Sequence, residues 1–93
     1  MQFEWDKEKA ASNLKKHDVS FKEAETVFGN FFARIFDDEE LSFDERRNGI
    51  IGHSAKNQIL IVSFTEKEND TIRIISAREA TPTERRKFEN ENG

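Results

Sequence analysis

The chain has 93 residues, which suits one domain spanning 1–93. Leu, Ile, Val and Phe supply 23 of them, enough for a folded core, while 19 acidic against 15 basic residues leave a net charge of −4. The absence of cysteine excludes disulfides and thiolate metal sites, the longest apolar run (Ile59 to Val62) is far short of the roughly 20 residues of a membrane helix, and an acidic balance is unlike that of most nucleic-acid binders.

The start, Met1-Gln2-Phe3-Glu4-Trp5-Asp6, has no basic or apolar leader, so a cytoplasmic protein is expected. Phe3 and Trp5 alternate with polar neighbours, which predicts a short edge strand. Asp6 is placed to cap a helix over Lys7–Lys16, with Ala10 and Leu14 on its apolar face. Ser20 and Glu23 have capping-box spacing, and Val19 and Ala24 fit the flanking staple, so a second helix follows at once. Phe21, Ala24, Val27 and Phe28 form its apolar face, and Gly29-Asn30 ends it.

From Phe31 the pattern changes to strands: Phe31–Phe36, Glu45–His53, Gln58–Thr65 and Thr71–Ala77. The stretch between the first two is expected to be a loop, and Gly49 and Gly52 to mark a bulge or a frayed end. Ile59-Leu60-Ile61-Val62 is apolar on both faces, so that strand is central. The turns Ala55–Asn57 and Glu66–Asp70 are too short for parallel crossovers, which makes the late strands an antiparallel meander. Thr81, Pro82 and Glu84 then fit N-cap, N1 and N3 of a last helix, Pro82–Glu91, anchored by Phe88. The expected class is α+β: a short N-terminal strand, two helices, an antiparallel sheet of three to four strands and a C-terminal helix, with the helices on one face.

Charge is placed unevenly. Asp37 to Glu45 holds six acidic residues and no basic one; Thr71 to Phe88 holds five basic residues against two acidic ones. A basic site can therefore exist in an acidic chain, because fields are screened over roughly 8–10 Å. His17 and His53 lack the spacing of a metal site, and the four glycines form no phosphate loop, so no metal or cofactor is expected. The arginines remain. Guanidinium can hold a phosphate by two parallel hydrogen bonds, or it can pair with surface carboxylates. Strand parity separates Arg73 from Arg78, so the two share a ligand only if Arg78 has left the strand.

Phe3-Glu4-Trp5-Asp6, Lys9, Asn13 and Lys16-His17 with Val19-Ser20-Phe21 and Glu23-Ala24 resemble the start of the BrnT toxin family. Glu45-Arg46, Ile51-Gly52, Thr65-Glu66 and Arg73-Ile74-Ile75-Ser76-Ala77-Arg78, followed by Ala80-Thr81 and Glu84-Arg85, resemble the rest, so the match spans nearly the whole chain. The resemblance implies a RelE-like fold and a metal-independent endoribonuclease that inhibits translation. It also implies neutralisation by a BrnA-type ribbon-helix-helix antitoxin in a 2:2 complex, with operator DNA reached only through the antitoxin. With that chemistry, Arg46 and Arg78 are expected as phosphate and transition-state ligands and His17 as acid or base. Lys9, Lys16, Arg73 and Arg85 are expected on the RNA backbone, with Glu66 and Glu84 as further acid/base candidates. The alternative function is an antitoxin-binding module, weak or inactive in catalysis, that acts only in operon autoregulation.

Overall fold

The computed structural model describes residues 1–37 and 47–92. Arg46 and the expected loop after Asp37 lie outside them. In chain order the elements are β1 (Gln2–Glu4), α1 (Lys7–His17), α2 (Phe21–Thr26), a 3₁₀ turn (Val27–Gly29), β2 (Arg34–Asp37), β3 (Asn48–His53), β4 (Ile59–Lys67), β5 (Thr71–Glu79) and α3 (Pro82–Asn92).

Local chemistry sets the helix starts. The Asp6 carboxylate accepts the Glu8 and Lys9 amides at 2.8 and 3.1 Å, which caps α1. Asp18 closes that helix in the left-handed region, with φ 56°. Ser20 Oγ accepts the Glu23 amide at 3.0 Å at the head of α2. The Glu23 carboxylate, expected to reach back within its own turn, points into the interior and accepts the Ser54 hydroxyl at 2.7 Å. The β3–β4 turn is thereby tied to α2. The box is complete on α3: the Glu84 amide donates to Thr81 Oγ1 at 3.2 Å, and the Thr81 amide donates to Glu84 Oε1 at 2.9 Å.

The sheet has five strands, not three or four, in the order β1-β5-β4-β3-β2. The meander β2 to β5 is antiparallel as expected, but β1 joins it parallel to β5, so the sheet is mixed. Everything between Glu4 and Thr71, both helices and the strands β2 to β4, forms the connection between these parallel neighbours, far longer than the minimum such a pair needs. Phe31 and Phe32 belong to a turn before β2, and Glu66 and Arg78 lie inside strands that run longer than expected. The β4–β5 turn is tight because Asn69 and Asp70 accept left-handed φ values of 62° and 56°.

The helices cover both faces, not one. On the inner face, Leu60, Val62 and Phe64 of β4 pack with Val19, Phe21, Ala24 and Val27 from the α1–α2 layer. On the outer face, Ile51, Ile59 and Ile61 pack with Ala80 and with Phe88 of α3. A strand buried on both faces is what the unbroken apolar run of β4 requires. The main bulge lies opposite Ser63/Phe64, where Ser63 faces Ser76 and Phe64 faces Ile74, leaving Ile75 unpaired. Strand β3 keeps an unbroken register on both sides. Its glycines provide room instead: a Cβ on Gly49 would overlap the Phe36 ring, and one on Gly52 would come within 2.8 Å of Ala33 Cβ.

Candidate functional site

The bulge decides where the arginines go. One extra residue reverses the alternation of β5, so Ile72, Ile74 and Ala77 all face the inner core. Arg73 and Arg78 therefore share the outer face without Arg78 leaving the strand. Their partners on β4, Thr65 and Ile61, are four residues apart, about 13 Å at roughly 3.3 Å per residue.

Arg78 is gripped by Glu84. Nη1 and Nη2 donate to Oε1 and Oε2 at 2.8 and 3.0 Å, a bidentate pair. The Arg78 guanidinium, with help from the Thr81 amide, holds the Glu84 carboxyl down to about 2 from an ordinary 4.5, against the opposing effect of burial. Such a carboxylate is charged at neutral pH and is a weak base, so Glu84 orients Arg78 better than it carries protons. Arg73 pairs with Glu4 across the β1–β5 junction at 2.8 Å. Beside it, Asp6 is held below the usual carboxylate range by the Lys9 and Glu8 amides, with smaller contributions from the charges of Lys9 and Arg73.

Strand β1 ends at Glu4, opposite Arg73, so β5 has no strand neighbour on that side from Ile74 onward among the described residues. Asn13 of α1 takes the vacant place. Its amide nitrogen donates to the Ala77 carbonyl at 2.8 Å, and its amide oxygen accepts the Ala77 amide at 3.0 Å. It also donates to the Val19 carbonyl at 3.0 Å, fixing the turn between the helices. Lys9, Asn13 and His17 follow at i, i+4 and i+8, hence on one helical face. Asn13 is the residue of this series that meets the open edge of β5, and His17 is the last residue of the helix. Asn13 thus ties α1, the helix that carries Lys9 and His17, to the edge of the strand that carries Arg73 and Arg78.

The other expected residues fall elsewhere. Lys16 and Arg85 are exposed, on the last turn of α1 and on α3. Glu66 pairs with Ile72 at the far end of β4, five residues from Ile61, about 16 Å along the strand from the Arg78 position. That separation removes Glu66 from the chemistry of Arg78. Ser63, Thr65 and Ser76 place outer-face hydroxyls between the two arginines, a grouping that sequence order does not show because it depends on the register of β4 against β5. Thr65 Oγ1 is buried and has no hydrogen-bond partner. Among the described residues no group of three His, Cys, Asp or Glu side chains is arranged to hold a metal ion.

A mixed sheet with two short helices on one face and one helix on the other is a fold shared with known proteins. Residues 5–84 match the family described as "Ribonuclease toxin, BrnT, of type II toxin-antitoxin system". The chain belongs to that BrnT family. Among solved structures it is similar to the Brucella abortus ribonuclease toxin BrnT, at 25% identity and a TM-score of 0.67, over 87% of this chain and 97% of that one. No curated protein sequence matches the chain.

Proposed function

We propose that this chain is a RelE-like, metal-independent endoribonuclease that cleaves RNA and so inhibits translation, and that a BrnA-type ribbon-helix-helix antitoxin neutralises it in a 2:2 complex. The observation that carries this reading is the Arg78–Glu84 pair at the open edge of β5. It presents a guanidinium already locked in orientation, so little reorganisation is needed when a phosphate arrives.

In the proposed reaction the RNA 2′-oxygen attacks the adjacent phosphorus and the bond to the 5′-oxygen breaks. The products carry a 2′,3′-cyclic phosphate and a 5′-hydroxyl. Arg78 balances the charge of the phosphorane, with Arg46 as the second ligand chosen from sequence. Lys9 and Arg73 hold the neighbouring backbone, and Lys16 and Arg85 extend that contact. His17, the last residue of α1, is the proton carrier by residue type.

Arg78→Ala is expected to lower RNA cleavage by about 100-fold or more, the loss typical of removing one transition-state donor. Induced wild-type protein should arrest growth, and cleavage should persist in EDTA. Full growth with abundant folded wild-type protein would refute the reading. One observation favours the binding-module alternative: Arg73 and Arg78 already hold carboxylates, so phosphate must compete for both. Tight antitoxin binding with no cleavage of any RNA would select it.

A further inference from the structure

Strand β2 ends the sheet, so one of its edges has no strand partner among the described residues. All four of its residues are exposed. Ile35 is 62% and Phe36 40% accessible, and the preceding turn adds Phe31 at 91% and Phe32 at 53%. Edge strands are ordinarily guarded by lysine, proline, bulges or a covering element, and monomers seldom leave large apolar side chains clustered in the open. Among the described residues this edge carries only Arg34 and Asp37 as charges, at its two ends.

On the outer face the strip opens into a groove of about 390 Å³. Phe36, Ile51, Ile61 and Phe88 line it, and it reaches Glu84, the residue that grips Arg78. Its charged lining is balanced, Arg34 and Lys87 against Glu84 and Glu91. An apolar floor with a balanced charged rim suits a polypeptide and lacks the positive excess that would draw a polyanion, so this surface is not a continuation of the RNA track.

The geometry points to the β2 edge, with Phe31, Phe32, Ile35 and Phe36, as the docking strip for the antitoxin. A segment of that protein adds to the sheet as an extended strand beside β2 and sends an apolar side chain into the groove. Because Glu84 lines the groove, an inserted side chain presses on the carboxylate that orients Arg78, which links binding at the edge to loss of activity. The inference rests on the reading of this chain as a toxin with a protein antitoxin.

The test uses the full-length toxin and the antitoxin encoded beside it, co-expressed and then measured by titration calorimetry. Phe31→Ser/Phe32→Ser and Ile35→Lys alter exposed side chains, so the thermal midpoint and RNA cleavage by the free toxin should be retained. Each is expected to weaken antitoxin binding by about 100-fold or more, as hot-spot residues do, and to leave growth arrest unrelieved by the antitoxin. Leu14→Ser, at an exposed apolar residue of α1, should leave affinity unchanged. Undiminished affinity in both strip variants overturns the assignment. So does a homodimer of the free wild-type chain that the strip substitutions dissociate, because the occupant is then a second copy. RNA cleavage by wild-type toxin that does not bind the antitoxin overturns the docking strip alone. A wild-type protein that neither cleaves nor binds overturns the toxin reading with it.

Discussion

Glu84 illustrates how one side chain serves two structures. It completes the cap of α3 and holds both terminal nitrogens of Arg78. Its depressed pKa sets the sign of a pH effect. The folded carboxyl titrates near 2 and the unfolded one near 4.5, so the stabilisation is full above about 4.5 and is lost as pH falls through about 2. The pair is 41% and 34% exposed, so solvent screening reduces its worth to about 1 kcal/mol. Urea melts of wild type and Glu84→Gln should differ by that amount at pH 7 and converge near pH 2. The same variant should lower RNA cleavage, since Arg78 keeps its charge but loses its fixed orientation.

At the scale of elements, β5 is where local rules and tertiary structure diverge. Alternation places Arg73 and Arg78 on opposite faces, whereas the bulge at Ile75 places them together. On its β1 side the strand also lacks a strand neighbour past Arg73 among the described residues, and the Asn13 amide supplies the donor and acceptor that a strand would have supplied. Asn13→Ala leaves the Ala77 amide and carbonyl without their partner, and unpaired buried groups cost about 1–3 kcal/mol each. A loss of about 2–4 kcal/mol in chemical denaturation is expected. Asn13→Asp should be destabilising too, because a carboxylate cannot donate to the Ala77 carbonyl. Amide exchange at Ala77 gives a direct local readout, slow in wild type and fast in Asn13→Ala.

For the whole molecule, the decisive feature is that the sheet is covered on both faces by unequal layers. The inner layer is broad, whereas the outer one depends on α3, whose buried anchor is Phe88 against Ile51, Ile59 and Ile61. Phe88→Ala is expected to cost about 3–4 kcal/mol, a large share of the stability of a domain this small. Its unfolding transition should broaden or split if α3 detaches before the rest. Such detachment would also release Glu84 from its place beside Arg78, so activity should fall together with stability in this variant.

Much of this was legible in the sequence, because the rules involved act over a few residues. Asp6, Ser20 and Thr81 mark helix starts by supplying acceptors to amides two or three positions on, and Ile59 to Val62 mark a central strand by being apolar on both sides. Lys9, Arg73, Arg78 and His17 could be picked out by residue type and by resemblance, but nothing in their order shows how β1, α1 and β5 come together. That required β1 to pair parallel with β5 and stop at Glu4, a bulge to turn Arg78 to the face of Arg73, and Asn13 to bring α1 alongside. Glu66, adjacent in type and motif, was carried to the far end of β4 by the same register. The sequence by itself determined which segments are helix and strand, because hydrogen-bond caps and hydrophobic period are local. Only the tertiary structure decided which charges meet, because strand register and parity are set by contacts between segments distant in the chain.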